Sequence, residues 1–166
     1  MNLAMDTDAL IKLTKSSAKR AVGAAFTVLV PGEVHRECVQ QGKAGGFPDA
    51  LRVEDNIERG VLTVRKPKRL MRAEAIVRDL RLSGGEADVL RLYQSGGVDV
   101  VVSDDRRFLQ ILEALGIRYT TPGMLIAALS RMGKMSLYEA LEHLEKLAEF
   151  ISEEEYSEAR RAIEEG

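Results

Sequence analysis

Short apolar runs rich in β-branched residues alternate along this chain with longer stretches of helical periodicity. The runs lie at residues 2–5, 26–30, 61–64, 98–102 and 117–119, and the helical stretches lie at residues 9–19, 33–40, 48–59, 70–80, 87–94, 108–115 and 125–131. Pro31 and Gly32 follow the second run and are expected to begin a helix. Continuous apolar runs of this length are typical of strands buried on both faces, and parallel strands need long crossover connections such as helices. The alternation therefore predicts a three-layer α/β/α sandwich around a central parallel sheet of about five strands.

The charge balance changes near residue 134. Residues 1–133 contain 20 Lys and Arg residues against 16 Asp and Glu residues, whereas residues 134–166 contain 4 against 10. Within the second segment, leucines recur at helical spacing, at Leu137, Leu141, Leu144 and Leu147. We expect residues 1–133 to form the α/β domain and residues 134–166 to form an acidic helical tail packed on it. The alternative is that the leucine stripe forms the seam of a homodimer.

The remaining composition narrows the class of protein. The single cysteine, Cys38, excludes a disulfide framework and a cysteine-based zinc site within one chain. No apolar run has the length of a membrane span, and the N-terminus lacks the features of a signal peptide. We therefore expect a cytoplasmic protein that makes no membrane contact.

Carboxylate residues recur where the predicted strands end or where the following helices begin. They are Asp6, Asp8, Glu37, Glu86, Asp88, Asp104 and Asp105. Because ligands of open parallel sheets bind at the carboxyl ends of the strands, we expect these acids to converge at one edge. Oxygen ligands with little histidine favour Mg²⁺ or Mn²⁺. Such a cation would offset the repulsion between Asp104 and Asp105, and it could activate water for attack on a phosphodiester.

Four motifs occur in a fixed order along the chain: MDTDAL at residues 5–10, VPGEVHRE at 30–37, GGEADVL at 84–90 and SDDRRF at 103–108. In order and spacing they resemble the motifs of PIN-domain nucleases. The segment LGIRYTTPGMLIAALSRMGKMS, which follows, is similar to the toxin-like subgroup of metal-dependent ribonucleases.

The resemblance implies roles for particular residues. It implies catalytic or metal-binding roles for four acids: Asp6, Glu37, Glu86 and Asp105. Asp104 would be a further metal-binding acid, and additional candidates are Asp8, Asp88 and Ser103. Asp88 is the alternative to Glu86 as the third acid, and we prefer Glu86 because it occupies the Gly-Glu-Ala motif. The implied activity is Mg²⁺- or Mn²⁺-dependent endonucleolytic cleavage of RNA. Many members are toxins, so an antitoxin protein is a candidate partner.

Basic residues near the acids are candidates for contact with nucleic acid. They are Lys66, Lys68 and Arg69 in the run RKPKRLMR, and Arg106 and Arg107 beside the last acid. Such side chains could steer a phosphate backbone toward the acidic edge of the sheet. Taken singly, each is better explained as a solvated surface charge, although Arg106 and Arg107 gain weight from their position next to Asp105.

The acids also have plainer interpretations as helix caps. Ser83 and Glu86 have the spacing of a capping box, and Ser103, Asp104 or Asp105 could cap the following helix. Asp8 could likewise be a simple charge in a first helical turn, where the helix dipole favours it.

Two other functions stay open at this point. The Asp-Thr-Asp at residues 6–8 imitates the nucleophile and acid of haloacid-dehalogenase-like phosphohydrolases, with Asp104 and Asp105 as Mg²⁺ ligands. However, Ala9 stands where that class usually has glycine. The chain could also be a non-catalytic module of the same fold that binds RNA or a protein.

Overall fold

A computed structural model describes residues 1–36 and 62–166 of the chain. The strands are β1 (Asn2–Met5), β2 (Thr27–Pro31), β3 (Leu62–Arg65), β4 (Val100–Val102) and β5 (Tyr119–Thr120). They form one sheet in the order β3-β2-β1-β4-β5, and every neighbouring pair is parallel. This arrangement confirms the predicted central parallel sheet.

Helices connect the strands and extend the chain beyond the last one. In the described ranges they are α1 (Thr7–Lys15), α2 (Lys19–Ala25), α3 (Gly32–His35), α4 (Met71–Asp79), α5 (Gly84–Gln94), α6 (Arg106–Ala114), α7 (Pro122–Arg131), α8 (Leu137–Leu147) and α9 (Glu153–Glu164). A 3₁₀ turn at Ala148–Phe150 precedes α9. None of the helices within these ranges combines the length and the apolar character needed to cross a membrane.

Alternating side chains of the sheet contribute to two separate cores. Leu3 and Met5 of β1 are buried with residues of α1, α2, α7, α8 and α9 on one face. Ala4 is buried on the other face with residues of α4, α5 and α6, including Phe108. Helices therefore cover both faces of the sheet, as the continuous apolar strands predict.

The acidic tail packs on the helices of the first face. Leu144 and Leu147 of α8 and Ala159 and Ile163 of α9 are buried in the same core as α1 and α7. Leu137, the first residue of the leucine stripe, is exposed. The chain itself thus covers most of the apolar residues of α8 and α9, but not Leu137.

Some element boundaries differ from the sequence-based prediction. Pro31 is the last residue of β2, although the Pro-Gly pair was expected to begin a helix. β4 begins at Val100, two residues later than predicted, and Gly96 and Gly97, with φ of 84° and 82°, form the turn that precedes it. The helix predicted over 33–40 is described only in part, and the one predicted over 48–59 lies outside the described residues.

Candidate functional site

The carboxyl ends of β1 and β4 lie side by side. Met5 is in register with Val102, so the residues that follow them, Asp6 and Ser103, are neighbours. An open depression of about 430 Å³ lies at this edge of the sheet. The functional side chains that line it are Asp6, Asp8, Ser83, Glu86, Asp105 and Arg107. Segments far apart in sequence therefore contribute carboxylates to one depression.

Asp6 is the most buried acid of this depression, with 6% of its surface exposed. It caps α1, because its Oδ1 accepts a hydrogen bond from the Ala9 N–H at 2.8 Å. Burial, and then repulsion by Asp104 and Asp8, raises the pKa of Asp6 to about 6, although the Ser103 hydroxyl and the Ala9 N–H act in the opposite direction. A cation in the depression would favour the ionised form of Asp6.

Asp105 is an exposed helix cap on the next strand end. Its Oδ1 accepts a hydrogen bond from the Phe108 N–H at 2.8 Å, and its own N–H donates to the Ser103 hydroxyl oxygen at 3.2 Å. The fully buried Ser103 hydroxyl also donates to the Asp6 carboxylate. Ser103 therefore links the two aspartates and fixes their relative positions.

Glu86 enters the depression from the first turn of α5. Burial, and then the charge of Asp105, raises the pKa of Glu86, whereas Arg107 opposes the change. Ser83 occupies the N-cap position, but its side chain makes no capping hydrogen bond, so the interpretation as a capping box does not hold. The Arg107 Nη2 donates to the Leu80 carbonyl at 2.7 Å, which anchors the guanidinium beside these acids.

The other two acids of these segments differ in placement. Asp8 is exposed in the first turn of α1 and lines the depression. Asp88 is absent from its lining and accepts a hydrogen bond from Arg91 at 2.9 Å. Because Arg91 also binds Glu74 at 2.8 and 3.0 Å, the three side chains tie α4 to α5. The placement of Glu86 and Asp88 on α5 favours Glu86 as the acid that faces the depression.

Asp104 turns away from the depression. Its Oδ2 accepts a hydrogen bond and ion pair from the Lys12 ammonium of α1. Its Oδ1 is buried and has no hydrogen-bond partner in the described part of the chain. The adjacent carboxylates of Asp104 and Asp105 thus have different environments.

The tail also contributes a buried glutamate, Glu155, that is not among the acids predicted from the sequence. The Oε1 of Glu155, at the start of α9, accepts a hydrogen bond from the Gly123 N–H at 2.8 Å, in the first turn of α7. Burial raises the pKa of Glu155, with a further contribution from Asp104. A signal for this position exists in the sequence, because Glu155, Ala159 and Ile163 recur at helical spacing and are all buried.

The basic candidates fall into two places. Arg106 is exposed in the first turn of α6, next to the depression, whereas Lys66, Lys68 and Arg69 are exposed between β3 and α4. The Lys68 N–H donates to the Ser95 hydroxyl at 2.8 Å, at the C-terminal end of α5. Glu86 lies near the other end of this helix, about 13 Å away at the rise of an α-helix. The lysine-rich run is therefore remote from the acids.

The donor chemistry of the depression fits a hard divalent cation. Its acids are carboxylates, and a helix cap uses only one of about four acceptor positions of each carboxylate. Within residues 1–36 and 62–166, no three acidic, histidine or cysteine side chains already stand in ligand geometry. Glu37, the remaining predicted acid, lies outside the described residues.

A family model described as a PIN domain matches residues 3–165 of the chain. PIN domains are generally nucleases, and they typically depend on divalent metal ions. No curated protein sequence and no solved structure matches the chain.

Proposed function

Because the chain belongs to the PIN-domain family, we propose that it is a metal-dependent endoribonuclease that hydrolyses phosphodiester bonds of RNA. One observation carries the proposal. Asp6, Glu86 and Asp105, from three separate segments, meet in one open depression at the carboxyl edge of the sheet. The charge of Asp105 raises the pKa of Glu86, which supports a shared site, because perturbed acids cluster where catalysis needs them.

In this proposal, Asp6, Glu86 and Asp105 hold Mg²⁺ or Mn²⁺, together with Glu37. A bound divalent cation supplies an activated water and offsets charge on the scissile phosphate. The protein contributes the positions of the acids. Ser103 holds Asp6 and Asp105 at a fixed separation, and the two helix caps restrict the rotation of both carboxylates.

Arg107 is proposed to bind the phosphate next to the scissile bond. Its guanidinium is anchored by the Leu80 carbonyl and faces the depression. An anchored guanidinium loses less side-chain entropy on binding phosphate than a free one does. Lys66, Lys68 and Arg69 would contact RNA far from the scissile bond, because they lie at the other end of α5.

A cleavage assay with variants tests the proposal. End-labelled, unstructured RNA is incubated with the protein and Mg²⁺, Mn²⁺ or EDTA. We expect cleavage with either metal, none with EDTA, and a loss of at least about 100-fold in Asp105→Asn. Glu86→Gln and Asp88→Asn form a matched pair on α5, and only the first should abolish cleavage.

Two results would contradict the nuclease. Saturable RNA binding without turnover by well-folded protein would favour a non-catalytic module. A covalent phosphoryl group on Asp6 after incubation with a phosphomonoester would favour the phosphohydrolase.

A toxin role with an antitoxin partner, a homodimer and a cytoplasmic location stay predictions from the sequence. Growth arrest on expression, relieved by a co-expressed neighbouring gene product, would support the toxin role.

A further inference from the structure

The acid next to Asp105 is held by a cation of the chain. The Lys12 ammonium contacts Oδ2 of Asp104, and 19% and 9% of the two side chains are exposed. Desolvation makes an isolated charge costly, so an ion pair this buried constrains both side chains. Asp104 is therefore fixed against α1, whereas Asp105 faces the depression.

The surroundings of this pair are otherwise acidic. Asp104 raises the pKa of Asp6 on one side and that of Glu155 on the other, and Lys12 lowers the pKa of Glu155. The Lys12 ammonium thus acts on two carboxylates of this cluster, those of Asp104 and Glu155. Without that ammonium, repulsion by Asp6 and Glu155 would favour displacement of Asp104, since like charges repel strongly in a partly buried site.

We propose that Lys12 is a tethered counter-ion for Asp104, and that this pair positions Asp105 without itself binding metal. Asp104 directly precedes Asp105, so holding its side chain on α1 fixes the short turn from β4 to α6. That turn also carries the Asp105 N–H, which donates to Ser103. The part of this inference that concerns metal rests on the proposed function.

A role of Asp104 as a metal ligand would predict a different effect of Lys12 on metal affinity. If Asp104 were a metal ligand, Lys12 would compete with the metal for its carboxylate. Removal of the ammonium would then tighten metal binding. If Lys12 positions the turn, its removal weakens metal binding, because partners that orient ligands typically change metal affinity by 10–100-fold.

The first experiment is a double-mutant cycle on the metal-free protein. Urea unfolding is measured for Lys12→Met, Asp104→Leu and the double variant. We expect the double variant to unfold at a higher urea concentration than Lys12→Met, because it leaves no buried carboxylate unpaired. Additive effects of the two single substitutions would overturn the pairing. Lys15→Met is the control: it removes from the same helix an exposed ammonium that lies 4.3 Å from the centroid of the Phe150 ring, and we expect a smaller effect than that of Lys12→Met.

The second experiment measures Mn²⁺ affinity of the full chain from the electron paramagnetic resonance signal of free Mn²⁺. We expect Lys12→Met to bind Mn²⁺ at least about 10-fold more weakly and Lys12→Arg to stay within about 3-fold of wild type. Tighter binding by Lys12→Met, or an equal loss in Asp104→Asn and Asp105→Asn, would overturn the inference. If the wild-type protein binds no Mn²⁺, the proposed function is overturned instead. The urea-unfolding cycle would still test whether Lys12 and Asp104 stabilise each other.

Discussion

Asp6→Asn is expected to stabilise the metal-free protein at alkaline pH. The pKa of Asp6 is about 6, against an ordinary value of 3.8, chiefly because the side chain is buried. At about 1.4 kcal/mol per pH unit, keeping this carboxylate ionised in the fold costs about 3 kcal/mol at pH 8. Asparagine removes the charge and retains an acceptor for the cap on α1, since Asn and Asp cap equally well.

The sign of the pH dependence follows from the raised pKa. The folded protein binds the Asp6 proton more strongly than the unfolded chain, so this group favours folding below about pH 4. That contribution is lost as the pH rises through about 6. The advantage of Asp6→Asn should therefore approach about 3 kcal/mol at pH 8 and vanish near pH 4.

Urea unfolding followed by circular dichroism, in EDTA at pH 8 and pH 4, measures this difference. In thermal unfolding, each kcal/mol corresponds to about 2–4 °C for a chain of this size. Asp8→Asn is the control, because Asp8 is exposed in the same helical turn and its change should stay below about 1 kcal/mol. An Asp6→Asn variant less stable than wild type at pH 8, or a difference independent of pH, would refute the argument from burial.

Two further predictions concern packing and nucleic-acid binding. Gly123→Ala should lower the free energy of unfolding by about 1–3 kcal/mol, because a Cβ there lies 3.1 Å from both Glu155 Oε1 and Ala159 Cβ; an unchanged thermal midpoint would show that α9 yields without cost. Arg107→Gln should weaken RNA binding and lower the slope of log affinity against log salt by about 0.7, as expected for one lost phosphate contact. An unchanged slope in filter binding would remove Arg107 from the interface.

The alternation of strand and helix was enough to predict the sheet and its layers, because that pattern depends on burial alone. Local turns were harder to predict. The helix expected over residues 9–19 ends at Lys15, and Ser17 adopts a positive φ of 65° before α2 begins. Serine side chains compete for backbone hydrogen bonds, and the Ser16 hydroxyl accepts one from the Ala18 N–H at 3.3 Å. Whether the serine side chains or the helical backbone form these hydrogen bonds depends on the surrounding packing. The spacing of apolar residues in the sequence contains no information about that packing.

Functional acids and helix caps proved to be overlapping classes. Capping is the plainer sequence-based interpretation of Asp105 and is not predicted for Asp6, yet both residues cap a helix and line the depression. Where a parallel strand turns directly into a helix, one residue lies both at the carboxyl end of the strand and at the N-cap of the helix. A cap therefore does not argue against a site at such a strand end, and it gives the carboxylate a fixed orientation.

The two acids at the end of β4 are tolerated for a reason that sequence alone does not reveal. The sequence suggested that a bound cation offsets their repulsion, whereas the structure separates them. Asp105 is exposed and interacts with the N-terminus of α6, and Asp104 is paired with Lys12, which is 92 residues away in sequence. Each carboxylate thus has its own source of positive potential within the protein. A metal ion would then have to offset the charges of its proposed ligands Asp6, Glu37, Glu86 and Asp105 but not that of Asp104. We therefore expect Lys12 and Asp104 to matter for the placement of the ligands.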